Sequence, residues 1–84
     1  MKLYEHGPNS SSAYLIVGQD VWVGRANKGT ASSSRGWQIE KLENTGAKAW
    51  ISKWPVDATS GKGSDAPNFI WDDAQGYSYN LLGT

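Results

Sequence analysis

Short alternating or apolar runs, separated by turn-forming residues, make up most of the chain, and this pattern is typical of an all-β protein. The clearest signal is a hairpin over residues 36–55, in which Trp37 and Ile39 alternate with polar neighbours. The turn Asn44-Thr45-Gly46 places Gly where a bulged hairpin favours positive φ. No window of a dozen residues keeps a helical period, so helices are not indicated.

Further strands are expected on both sides of this hairpin. In the segment 20–26, Val21 and Val23 share one face and Trp22 takes the other. The other predictions are a buried strand at 13–18, a short strand or one helical turn at 69–73, a last strand at 76–82, and flexible polar loops at 27–35 and 56–68.

These elements predict a small antiparallel β-sandwich or partly open barrel of about five to seven short strands. We expect a single β domain over residues 13–84, preceded by an N-terminal arm over residues 1–12. With 84 residues and no Cys, the core has to come from aromatic rings, of which there are five Trp, four Tyr and one Phe. The residues expected to build the core and its turns are Trp37, Ile39, Phe69, Trp71, Asp72, Asp73, Tyr77 and Tyr79.

Charge and hydropathy limit the classes of partner that the chain can bind. The eight basic and eight acidic residues cancel, so the basic excess that nucleic-acid binding needs is missing. The longest apolar run is far shorter than the roughly 20 residues of a membrane span. We therefore expect no nucleic-acid and no membrane partner. A core this thin is commonly completed by association, and we expect a homo-oligomer.

Asp72 and Asp73 follow directly after Trp71, and two uses of the pair are open. Adjacent carboxylates in a strand point to opposite faces, so they do not suit acid–base work on one substrate. In a turn they would accept backbone N–H bonds as caps, and this is the favoured reading. A divalent-cation site is the alternative, although the alternating ligands of a calcium loop are missing.

Enzyme chemistry is not indicated. His6 is the only histidine, and neither a second metal ligand nor a nucleophile accompanies it. We expect no cofactor, no metal and no catalytic residue, and we assign His6, with Leu3 and Tyr4, to partner contacts of the arm.

Trp50 and Trp54 lie on one face of the return strand, and three uses of the tryptophans remain open. They can fill the core, form a protein–protein interface, where Trp is enriched at hot spots, or stack on a ligand such as a sugar. We regard both residues as candidate partner contacts.

Two stretches, "VGRANKGTASSSRGWQIEKLE" (23–43) and "APNFIWDDAQGYSY" (66–79), with "WISKWP" (50–55) between them, resemble small structural proteins of tailed bacteriophages. The similarity covers roughly residues 13–80, and Ile70-Trp71-Asp72-Asp73 followed by Tyr77 and Tyr79 is its most specific part. The chain departs from the pattern at Ala74, where an Arg is expected, and in its longer 56–68 loop.

The resemblance implies a phage origin and a place in the virion, the protein being made in the cytoplasm of the host bacterium. The expected function is capsid decoration or cementing, without catalysis, through contacts with the major capsid protein, other virion proteins or further copies. The alternatives are a tail, neck or fibre-associated protein, and a glycan-binding β module that uses Trp50 and Trp54.

Overall fold

The computed structural model describes residues 2–6, 10–46 and 49–84. These residues form seven β-strands and one short 3₁₀ helix, with no other helix among them. In chain order they are β1 (Lys2–His6), β2 (Ser10–Val17), β3 (Asp20–Asn27), β4 (Arg35–Asn44), β5 (Trp50–Pro55), β6 (Phe69–Ile70), the 3₁₀ helix (Trp71–Gly76) and β7 (Tyr79–Asn80).

The strands pair antiparallel in the order β1-β2-β3-β4-β5-β7, and β6 pairs with the beginning of β4. The sheet does not close on itself. The predicted all-β antiparallel class is therefore confirmed, in the form of one open sheet. Gly46 has a φ of +93°, as the predicted turn requires, but Asn44 still belongs to β4 and pairs with Trp50, so the connection is longer than the three residues 44–46.

Alternation along the strands separates the sheet into two faces. One face, which we call the core face, carries the in-register set Ala13, Gly24 and Ile39. All three are buried, and Trp71 of the 3₁₀ helix packs directly against Gly24. On the opposite face, which we call the open face, the Gln38 side chain donates to the Asp65 carbonyl at 2.9 Å, so the 56–68 loop contacts one end of this face.

The core is an aromatic cluster between the sheet and the helix. Its buried members are Ala13, Trp22, Trp37, Ile39, Phe69, Trp71 and Ala74. The rings of Trp37 and Trp71 lie 5.9 Å apart, and the Trp37 indole N–H donates to the Ala31 carbonyl at 3.0 Å. The Asp72 N–H donates to the Ser32 carbonyl at 3.0 Å, which ties the helix to the β3–β4 loop.

Two details differ from the sequence prediction. The last strand is shorter than 76–82, because residues 71–76 form the helix and only Tyr79–Asn80 pairs with β5. The strand predicted as buried at 13–18 begins at Ser10, and its final residues, Ile16 and Val17, are exposed. A short strand at Lys2–Glu5 is one of the two conformations that the sequence allows at the start of the arm, and β1 agrees with it and pairs with β2 over its whole length. The division into arm and domain stays a prediction.

The loop at 56–68, which the sequence predicts to be flexible, carries several local hydrogen bonds. The Asp57 N–H donates to the Lys62 carbonyl at 2.9 Å, and the Ser64 N–H donates to the Pro55 carbonyl at 3.0 Å. The Asp57 carboxylate accepts from the Thr59 N–H at 2.7 Å. This Asx turn organises the loop locally, which its Gly and Ser content conceals.

Candidate functional site

The open face carries several apolar side chains that are exposed or partly exposed. Its central row joins Ile16, Val21 and Leu42, which lie opposite one another on β2, β3 and β4. The neighbouring row adds Tyr14 opposite Val23. Trp50 and Trp54 lie on the same face of β5, because Trp50 pairs with Asn44 and Ser52 with Leu42.

The exposure of these side chains is unusual for a sheet. Ile16 is 60% exposed and Trp50 is 49% exposed, while the other apolar members of the face are half-buried: Tyr14, Val21, Val23, Leu42 and Trp54. Surface apolar residues that are scattered singly need no explanation, but a contiguous patch marks an interaction surface. The open face is such a patch, although the charged side chain of Glu40, opposite Val23, interrupts it.

The core side of the same sheet end carries charge instead. Lys41 and Lys53 both contact Glu43, at 3.4 Å and 3.2 Å. The hydrogen bond from Lys53, followed by the contacts of Lys41, lowers the pKa of the Glu43 carboxyl below its ordinary value, against the opposing effect of burial. Asp20 also lies here and accepts from the Asn44 N–H, while Val17 and Ile51 are exposed among these charges. At this end of the sheet, the apolar row of Ile16, Val21 and Leu42 therefore lies on the open face, and the charged side chains lie on the core face.

Lys41 packs over two aromatic rings, Trp22 and Tyr79, at the edge of the core. Its ammonium lies 5.2 Å from the ring centre of Trp22 and 5.8 Å from that of Tyr79, within cation–π range. The Tyr79 hydroxyl donates to the Ala74 carbonyl at 2.6 Å. Burial, with a smaller contribution from the neighbouring Tyr77, raises the pKa of Tyr79 well above its ordinary value. Tyr79 is therefore a structural hydroxyl that keeps its proton at neutral pH.

The residues assigned to the core by sequence lie together. Trp37, Ile39, Phe69 and Trp71 are buried in one cluster. Tyr77 is half-buried, packs edge-on against Phe69 with ring centres 5.2 Å apart, and accepts a hydrogen bond from the Ile70 N–H at 2.9 Å.

The aspartate pair has a different place from the one expected. Asp72 and Asp73 are exposed in the first turn of the 3₁₀ helix, and no side chain caps that helix. Their expected role as turn caps is thus not what the structure shows. The two carboxylates face solvent and suit the positive end of the helix electrostatically, an effect that is small in so short a helix.

The candidate partner contacts fall into two groups. Trp50 and Trp54 share the open face, four residues apart along a strand and so about 13 Å from each other at 3.3 Å per residue. The backbones of Leu3, Tyr4 and His6 lie in β1 and pair with Ala13, Ser12 and Ser10. The side chains of these three residues lie outside the described part of the chain.

Sequence reasoning missed Ile16, Val21 and Leu42 as surface residues. The continuously apolar segment 13–18 predicts a buried strand, and that strand includes Ile16. One signal was available: Val21 and Val23 oppose Trp22, so β3 is apolar on both faces while only one core exists to cover it.

Among residues 2–6, 10–46 and 49–84, no group of three or more His, Cys, Asp or Glu side chains could hold a metal ion. Nor does this part of the chain contain a helix long and apolar enough to cross a bilayer. No protein-family model, curated protein or solved structure matches this chain.

Proposed function

We propose that this protein is a non-enzymatic structural component of a tailed-phage virion that decorates or cements the capsid. In this proposal the open face docks on the major capsid protein or on another virion protein. The single observation that supports a docking role most directly is the outward apolar row Ile16, Val21 and Leu42 on a sheet whose other face already has a complete core.

The molecule measures 36 × 30 × 19 Å, so an interface of the standard size, roughly 800 Å² per partner, would take up most of one broad side. Interface cores are depleted in charge and enriched in aromatic residues, and Trp50, Trp54 and Tyr14 meet that description. Arg25, farther along the strands, would belong to a polar rim, and Gln38 in register with it donates to the Asp65 carbonyl of the 56–68 loop.

The phage origin in this proposal is supported by the resemblance of residues 23–43 and 66–79 to small virion proteins. Zero net charge adds support, because copies that pack side by side on a shell do not repel one another. Association with further copies is part of the proposal, and light scattering of the purified chain over a range of concentrations measures it.

Mass spectrometry of purified particles of the encoding virus, with copy number, tests the proposal. Hundreds of copies per particle would support decoration. A few copies or about a dozen would instead indicate a tail, neck or fibre protein. Absence from the particle, while the protein is abundant in infected cells, would overturn a virion role.

A further inference from the structure

A second surface lies away from the open face, in a groove between the ordered first half of the 56–68 loop and the strands β4 and β6. The groove has a volume of about 540 Å³, within the range of small-molecule sites. Phe69 and Tyr77 give it an apolar wall, and Arg35, Asp57, Thr59 and Asn68 supply polar groups.

The polar groups of the groove are held in place by bonds to the backbone. Arg35 Nη1 donates to the Asn68 carbonyl at 3.0 Å, which leaves other N–H groups of the guanidinium for a ligand. The Asp57 Oδ1 atom accepts from the N–H groups of Thr59 and Ser60, at 2.7 Å and 3.2 Å. The Tyr77 hydroxyl is held by the Ile70 N–H. Fixing these groups in advance lowers the entropy cost of binding.

The chemistry of the groove indicates which ligand it would take. The charges of Arg35 and Asp57 offset each other, so the groove does not favour an anion or a cation. Arg35 supplies hydrogen-bond donors and Asp57 supplies an acceptor. Asn68 adds a side-chain amide and Thr59 adds a hydroxyl. A hydroxyl-rich, uncharged ligand with an apolar face matches this set.

We propose that this groove binds a neutral saccharide ring, with hydroxyls bonded to Arg35 and Asp57 and the C–H face of the ring against the partly exposed side chains of Tyr77 and Val56. The proposal goes beyond the virion role and does not depend on it. It also assigns sugar binding to a different place from Trp50 and Trp54, which share the open face.

The test is a titration of the full ¹⁵N-labelled chain with glucose, galactose, N-acetylglucosamine and their disaccharides, followed by amide chemical shifts. The same titration with inorganic phosphate and with acetate gives the anion comparison. We expect at least one sugar to shift the amides of Thr59, Asn68 and Tyr77 in a saturable way. Weaker effects are expected from both anions.

Matched variants locate the site. Arg35→Ala and Asp57→Asn should each weaken sugar binding about tenfold, because each removes a charged hydrogen-bond partner. Asp57→Asn keeps an oxygen that can accept the turn bonds. The controls Arg25→Ala and Asp73→Asn change exposed residues elsewhere and should bind as the parent does. Unchanged amides with every sugar, stronger shifts with the anions, or shifts centred on the Trp50 and Trp54 indoles would each overturn the proposal, whatever the virion experiment shows.

Discussion

Trp71 occupies the space that a side chain on Gly24 would need. A Cβ atom built on Gly24 would lie 2.5 Å from Cε3 and 2.7 Å from Cζ3 of the Trp71 ring, and 3.1 Å from Cε3 of Trp37. Both rings are almost fully buried and have little room to retreat. The helix thus packs onto the sheet at a position of β3 that presents only backbone.

The Gly24→Ala substitution should therefore destabilise the protein through overpacking, by about 1–3 kcal/mol. Urea unfolding followed by Trp fluorescence measures the change. Gly76→Ala is the matched control, because no atom lies within 4 Å of a Cβ at Gly76. Equal stability of the two variants would mean that the Trp71 ring does not rest on Gly24 as described.

The sequence predicts the local parts of this arrangement and not the contact itself. The alternation of Trp37 and Ile39 with polar residues correctly places both in the core, and the position of Gly46 correctly marks a turn. From the sequence, Gly24 indicates only that the strand bends at this position or that another backbone comes close to it. Which group approaches depends on the 3₁₀ helix 47 residues later, and a six-residue segment carries no periodic signal strong enough to predict a helix.

The open face could be predicted only in part, for a related reason: Val21 and Val23 opposite Trp22 show that β3 is apolar on both sides, but not which side the core covers. A run such as residues 13–18 shows that the segment is apolar, but it does not show which side of the finished sheet the core will cover. The register of β2, β3 and β4 decides that Ile16, Val21 and Leu42 fall on the side opposite Trp71. Register depends on pairing between strands and is therefore invisible in any single segment.

Tyr79 should make the fold sensitive to alkali. Its pKa is raised in the folded state relative to an ordinary value of 10.0. The unfolded chain therefore releases the proton first, so the stability contribution is complete below pH 10 and is lost as the pH rises above about 10 toward the folded pKa. Urea midpoints measured across this range should fall less steeply for Tyr79→Phe than for the parent. At neutral pH the same variant should lose about 1 kcal/mol with the hydroxyl bond to Ala74. Parallel pH profiles would contradict this assignment.

Glu43 should contribute to stability with the opposite pH dependence. Because the contacts with Lys53 and Lys41 lower its pKa in the folded state from 4.5, the contribution is present above that value and is lost as the pH falls below it. Glu43→Gln should therefore flatten the acid limb of the stability profile, measured by urea midpoints. Because these side chains are only partly buried, added salt should shrink the difference between variant and parent. A difference that persists in high salt would point to packing and not to charge.

The two faces of the sheet can be distinguished by one pair of isoleucines. Ile16→Ser changes the open face at a residue that is 60% exposed, so the free energy of unfolding should change by no more than about 0.5 kcal/mol. Ile51→Ser, at a residue that is 39% exposed on the core side of β5, is the matched control.

Binding to particles separates the two variants. When either variant is added to particles that lack the protein and the mixture is sedimented, Ile16→Ser should bind at least tenfold more weakly than the parent, which corresponds to about 1.4 kcal/mol. Ile51→Ser should bind as the parent does, because it lies outside the proposed interface. Parent-like binding by Ile16→Ser, or loss of binding by Ile51→Ser alone, would move the docking surface away from the open face.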